Sequence, residues 1–302
     1  MIRLKQARQA SICSAVILMA VVLVAGCASS TVGRYHTVQQ EAATSGFAEL
    51  RFGAAPPVVG MLRTPQNDGR LPHTTSSVLW VMIEGDGRAW LNMREPSQDP
   101  TPVDAVGWRL AQNISRRNVL YLARPCQFLS SAELQACSID DWTGARFSEK
   151  WVTRLNVAID EARHTTHADR IAIAGYSGGG VMASLIAARR NDVALLVTVA
   201  APLDHAAWTV YHQVSPLTGS LDVLSVREKL MRLPQMHVTG ADDQVVPTLL
   251  LKDFLRVYPN DAPAELVTLP GVDHRMRPVI DISRIRSSRL LSQSIDDLDI
   301  YP

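Results

Sequence analysis

Short runs of aliphatic and β-branched residues recur along the chain, separated by longer stretches in which apolar positions return every three or four residues. The short runs predict strands at Glu49–Phe52, Val58–Arg63, Val78–Glu84, Asn118–Arg124, Arg170–Gly175, Ala194–Ala200, Gln235–Thr239 and Ala264–Thr268. The longer stretches predict helices at Val103–Arg116, Ser148–His164, Gly179–Arg190, Ser225–Arg232, Thr248–Val257 and Met276–Leu291. Val78 to Ile83 and Ile171 to Ala174 are apolar without alternation, as strands covered on both faces require. Two strands come first and then strand and helix alternate. The pattern therefore predicts an α/β fold, a doubly wound and mostly parallel sheet of about eight strands.

The start of the chain breaks this pattern. Arg3, Lys5 and Arg8 precede an apolar run from Ala15 to Ala25, and Val24-Ala25-Gly26-Cys27 closes it. A run of 11 residues is short of the roughly 20 that a helix needs to cross a bilayer, so it reads as a removable secretory signal. Its last four residues resemble the lipobox of bacterial lipoproteins. That resemblance implies a lipid-modified Cys27, a membrane partner through the anchor, and a place in the cell envelope facing the periplasm. Ala28 and Ser29 lack the aspartate associated with inner-membrane retention and point to the outer membrane. Ser29 to Gly46 is polar and small and reads as a flexible tether.

Composition narrows the picture further. Loss of the signal removes three basic residues and no acidic ones, taking the formal charge from +1 to −2. No basic patch suggests nucleic acid. Cys126 and Cys137 remain in the body, and in an oxidising compartment an even pair predicts a disulfide. His164 and His167 lie at a helix end without nearby carboxylates, so no metal site is expected there. No cofactor motif is present: Gly175-Tyr-Ser-Gly-Gly-Gly fits neither Gly-x-Gly-x-x-Gly nor the phosphate-binding loop with its Lys-Ser/Thr.

That same glycine-rich segment joins the strand ending at Gly175 to an apolar helix, with Ser177 at the corner. A nucleophilic serine has to stand clear of its sheet on a sharp turn. Gly175 and Gly179 remove the side chains that such a turn would bring into collision. The helix that follows aims its N–H groups at the serine, where they favour a developing negative charge. A serine of this kind needs a base and an orienting acid. Gly240-Ala-Asp242-Asp243-Gln-Val-Val-Pro247 follows one later strand, and Gly271-Val-Asp-His274 follows the next.

With these motifs the chain resembles the α/β-hydrolase superfamily, its serine esterases and lipases in particular, over Glu49 to the end of the domain. The resemblance implies Ser177 as nucleophile, His274 as base and Asp243 as acid, with Asp242 the competing acid. His205, His212 and His237 do not lie past the last strand, where the family carries its histidine. The resemblance places the oxyanion donors at the Gly178 N–H and at the loop Glu84-Gly85-Asp86-Gly87, with Asp86 the second donor and Gly87 its rival. Glu84 stands where the family often has histidine. The Asp86 side chain is expected to turn away from the site, toward Arg88. The short insert after the sixth strand, with Trp208 and Tyr211, occupies the place of a cap. The segment Pro125–Phe147 is the other candidate wall.

These readings divide the chain into a signal at 1–26, a lipidated cysteine with its tether at 27–46, and a hydrolase domain at 47–302. The implied activity is hydrolysis of a small carboxylic ester or other acyl substrate, without cofactor. A peptidase or amidase on the same residues is the alternative within the class. A non-catalytic envelope scaffold is the alternative outside it.

Overall fold

The computed structural model describes residues 31–64, 78–116 and 118–285. The expected signal and Cys27 lie outside the described residues. Eight strands form one sheet: β1 (Ala48–Phe52), β2 (Val58–Arg63), β3 (Val78–Ile83), β4 (Asn118–Leu122), β5 (Arg170–Tyr176), β6 (Val193–Val199), β7 (Gln235–Gly240) and β8 (Ala264–Leu269). Their order is β1-β2-β4-β3-β5-β6-β7-β8. β2 runs antiparallel to both β1 and β4, and every pairing from β4 to β8 is parallel.

Helices cover both faces. Along β3 the side chains alternate: Leu79, Val81 and Ile83 enter one core, and Val78, Trp80 and Met82 enter the other. All six are buried, which explains an apolar run without polar interruptions. The first core packs against α4 (Glu149–Thr166), α5 (Gly178–Ala187) and α8 (Thr248–Leu255). The second packs against α1 (Thr31–Thr44) and α2 (Val106–Asn113). Every residue of α5 is buried, because α4 closes its outer side. Three short helices, α3 (Ser131–Leu134), α6 (His205–Tyr211) and α7 (Arg227–Leu230), sit in the connections.

Two expectations change. The segment read as a tether is helical over Thr31–Thr44 and docks on the domain. Val38 and Ala42 are buried one turn apart, and Trp108 Nε1 donates to the Glu41 carboxylate at 2.7 Å. The helix expected from Met276 to Leu291 is not formed over its described part. Met276 has φ +51 and Pro278 follows closely, so one short turn at Ile282–Arg284 is all that forms up to residue 285. Its remainder lies outside the described residues. The expected disulfide is present: Cys126 bonds Cys137 across a Cα–Cα distance of 6.2 Å.

Candidate active site

β5 carries its chain to Tyr176, and α5 starts at Gly178. Ser177 alone makes the corner, at φ 50 and ψ −124. A non-glycine residue held there stores on the order of 1–3 kcal/mol of strain. Two backbone bonds hold it: Ser177 N donates to the Val199 carbonyl at 2.8 Å, and Gly180 N to the Ser177 carbonyl at 2.9 Å. The flanking glycines are sterically required. A Cβ on Gly175 would lie 2.1 Å from the Gly179 carbonyl oxygen, and one on Gly179 would lie 2.3 Å from that of Ile83.

The acid and the histidine come together from the ends of β7 and β8. Asp243 Oδ2 meets His274 Nδ1 at 2.8 Å. Asp243 Oδ1 accepts the Val245 and Val246 N–H groups, each at 2.8 Å. The carboxylate is therefore buried, oriented and fully satisfied, whereas Asp242 faces solvent. Tyr176, next in the chain to Ser177, donates its hydroxyl to the His274 carbonyl at 2.9 Å, and its ring lies 5.2 Å from the imidazole. His274 thus sits beside the elbow. Among the described residues no hydrogen bond joins Ser177 Oγ to His274 Nε2, a link that tightens in many such sites only when substrate binds.

The other histidines are occupied elsewhere. His237 is buried between Thr198 Oγ1, 2.7 Å from its Nδ1, and Gln235 Oε1, 3.0 Å from its Nε2. Burial pushes its pKa down to about 3. His205 Nε2 meets the Leu221 carbonyl, and His212 Nε2 meets that of Val245. His167 ends α4 in a left-handed conformation, as a helix terminus does.

The loop after β3 lies against the elbow. A Cβ on Gly85 would come within 2.8 Å of the Tyr176 ring and 3.4 Å of Ser177 Cβ. A Cβ on Gly178 would lie 2.0 Å from Asp86 Oδ1. Gly85 therefore lies against Ser177, and the Asp86 carboxylate, expected to turn away from the site, lies against Gly178 instead, while Gly87 is set against the Pro100 carbonyl and Gln127. Gly178 is the first residue of α5 and its N–H has no acceptor within the helix. The Asp86 N–H has no acceptor among the described residues.

The partner expected for Asp86 is corrected. Its carboxylate pairs with Arg124 Nη1 at 2.8 Å and Arg146 Nη1 at 2.6 Å, not with Arg88, whose side chain faces solvent. Burial alone would raise the Asp86 carboxyl, yet the two guanidiniums hold it below its ordinary range. Glu84, the departure from histidine, has a structural task. Its carboxylate accepts the Gly107 and Trp108 N–H groups and so caps α2, whose own N-cap residue is Ala105. It also accepts from the Gly85 N–H and the Tyr121 hydroxyl. Burial pushes this carboxyl up.

Of the two candidate walls, Trp208 donates Nε1 to the Val245 carbonyl at 2.7 Å, which ties α6 to the loop carrying Asp243. Tyr211 points to solvent. Pro125–Phe147 contributes Phe128, Leu129, Leu134, Ile139 and Trp142 to a groove of about 820 Å³ that also takes in Tyr35 and does not include Ser177. Among the described residues, the one trio spaced to hold a metal is Cys126, Cys137 and Asp141, and its sulfurs are spent in the disulfide.

The chain has the α/β-hydrolase fold: a mostly parallel eight-stranded sheet, helices on both faces, and an elbow at the end of β5. No protein-family model matches it, and no curated protein does. Solved structures do. Est1E from Butyrivibrio proteoclasticus with ferulic acid bound is 17% identical over 72% of this chain and 88% of that one, at a TM-score of 0.50. An acylaminoacyl peptidase from Pyrococcus horikoshii is 14% identical over 76% of this chain and 37% of that one, also at 0.50. An α/β serine hydrolase homologue from Coxiella burnetii is 17% identical over 83% and 95%, at 0.49. At such identities the likeness is one of fold.

Proposed function

We propose that this chain is a serine hydrolase that cleaves a carboxylic ester through an acyl-enzyme. The reading rests above all on the 2.8 Å contact of Asp243 with His274, placed beside a serine in a strained strand-to-helix corner. In the proposed cycle His274 Nε2 takes the proton of Ser177 as its Oγ attacks the acyl carbon. Asp243 keeps Nδ1 protonated and stabilises the imidazolium. The N–H groups of Gly178 and Asp86 hold the negative oxygen of the tetrahedral intermediate. The proton then passes from His274 to the leaving alkoxide, the ester bond breaks, and the acyl group stays on Ser177. Water repeats the sequence: His274 takes its proton, hydroxide adds to the acyl carbon, and the acid leaves as the proton returns to Ser177.

A fluorophosphonate probe should add to Ser177 in the intact protein, located by peptide mass spectrometry. His274→Ala should lower turnover of a nitrophenyl ester by several orders of magnitude. An unmodified Ser177, together with no ester or anilide turnover, would give the domain to the scaffold reading. Preferential turnover of amide controls would give it to a peptidase or amidase.

We propose in addition that Cys27 carries lipid and holds the domain in the bacterial envelope, a reading that rests on the resemblance of Val24–Cys27 to a lipobox. Cys27→Ser should move the protein from the membrane fraction to the soluble one. Continued sedimentation with membranes would remove the anchor.

A further inference from the structure

The carboxyl edge of the sheet, where Ser177 stands, also carries a cluster of exposed apolar side chains. The connection from β3 to α2 folds into a small hairpin between Ala89 and Ser97. Ser97 N donates to the Ala89 carbonyl, Leu91 N to that of Glu95, and the Asn92 side chain accepts from the Arg94 and Glu95 N–H groups. Its base is fixed: Ala89 and Ser97 are buried, and Trp142 Nε1 donates to the Ser97 carbonyl at 3.1 Å. Its tip is not covered by any of the described residues. Trp90 and Leu91 are each 42% exposed, Met93 84%, and Val103 further along the connection 71%. Single apolar residues scattered on a surface are ordinary, but three of these crowd the tip of one hydrogen-bonded hairpin and the fourth lies on the same connection.

A second patch stands on the other side of the serine. Val210 and Tyr211 end α6 after β6, and Val245 follows β7. In the sheet order β3-β5-β6-β7 these connections flank the elbow that rises from β5.

Helix α1 enters at this edge. Arg34 Nη1 donates to the Thr101 carbonyl at 2.7 Å, within the connection that carries the hairpin, and the Tyr35 ring lies 6.0 Å from Phe128 just beyond β4. The other end of α1 reaches the opposite edge, where Ser45 Oγ accepts from Gln112 at the end of α2. Four peptide links separate Cys27 from Thr31, and they span at most about 14 Å whatever their conformation. A lipid on Cys27 would therefore hold the bilayer against the edge that bears the hairpin and the serine, and not against the far one.

We infer that this edge is a membrane-docking surface: the Trp90–Met93 tip and Val103 sit in the lipid interface, and the site draws a lipid ester from the bilayer. The inference rests on the ester-hydrolase reading for its substrate and on a lipidated Cys27 for its geometry. Tryptophan suits such a position, with an apolar ring and a polar N–H.

The test uses the full-length lipidated protein in vesicles of phosphatidylethanolamine and phosphatidylglycerol. With Cys126 and Cys137 bonded and Cys27 acylated, Met93→Cys supplies one free thiol for an environment-sensitive fluorophore. Val257→Cys supplies another just past the end of α8, at the opposite edge, where the native valine is also 50% exposed. The label at 93 should shift to the blue and be quenched by brominated acyl chains, and the label at 257 should not. The combined variant Trp90→Ser, Leu91→Ser, Met93→Ser should keep hydrolysis of a short soluble nitrophenyl ester within about twofold. Its hydrolysis of vesicle phospholipid should fall roughly tenfold, as contact area with the interface is lost.

Equal, aqueous behaviour of the two labels would overturn docking even if Ser177 takes the fluorophosphonate. Shielding of the label at 93 that depends on protein concentration without vesicles would give the patch to a second copy and overturn it too. A quenched label at 93 on a protein that hydrolyses nothing would leave docking standing and remove the hydrolase.

Discussion

In the proposed site Asp86 serves through both its backbone and its side chain. Its N–H, without an acceptor among the described residues, is the proposed second oxyanion donor, while its carboxylate neutralises Arg124 and Arg146, whose side chains are 5% and 8% exposed. Arg124 Nε already lacks a partner in the interior. Removing the carboxylate would leave two buried cations facing each other, a change that costs roughly 3–5 kcal/mol in comparable pairs. Asp86→Ala is accordingly expected to lose stability of that order in urea unfolding, and a loss under 1 kcal/mol would show that water takes over both guanidiniums.

His237 makes a different kind of prediction. Its pKa is near 3 when folded against about 6.5 when exposed, so between these values the unfolded chain binds more protons than the folded one. The stability from this group is complete above pH 6.5 and is lost as pH falls toward 3. Going from pH 7 to pH 5 should cost about 2 kcal/mol from this residue alone, at 1.36 kcal/mol per unit. His237→Gln should flatten the slope by that amount in urea titrations at the two pH values. Identical slopes would mean that the folded protein accepts a proton at this ring.

At the scale of elements, what could be read from the sequence followed from how local its cause was. The strands announce themselves because burial on both faces admits almost nothing but apolar residues, as in Val78–Ile83. The elbow is equally local, since Gly175, Ser177 and Gly179 must occur within five positions for the corner to close. Asp243 and His274 could be placed by their distance past β7 and β8. α1 could not, because Val38 and Ala42 are nearly its only buried apolar positions in a polar segment and its docking is settled by Trp108, far along the chain. Arg124 and Arg146 were invisible for the same reason: they lie 38 and 60 residues from Asp86. Met276–Leu291 carries a helical spacing, but Met276 is drawn into the second core by burial and Pro278 stops a helix from forming there.

For the molecule as a whole, the sheet order sets the division of labour. The strands from β4 to β8 in the sheet order run parallel, so their carboxyl ends gather at one edge, and the residues of the proposed site follow β3, β5, β7 and β8 there. Cys126→Ala with Cys137→Ala should lower stability by about 2–3 kcal/mol, the value for closing so short a loop, as read from the thermal midpoint. An unchanged midpoint would mean that the segment is held by its packing alone.

The position of that disulfide reaches further than stability. Cys126 and Phe128, on either side of Gln127, adopt left-handed backbone angles of φ 71 and 57, a conformation that neither residue prefers and that its surroundings must enforce. Gln127, caught between them, donates Nε2 to the Gly85 carbonyl at 3.0 Å, the oxygen of the same peptide group that carries the Asp86 N–H. The covalent strap, the glutamine grip and the proposed oxyanion donor thus form a short mechanical series. On the proposed readings of export and ester hydrolysis, a newly made chain in a reducing cytoplasm would lack the first link, and ester turnover should emerge only after oxidation, as compared by assay of the reduced and oxidised protein.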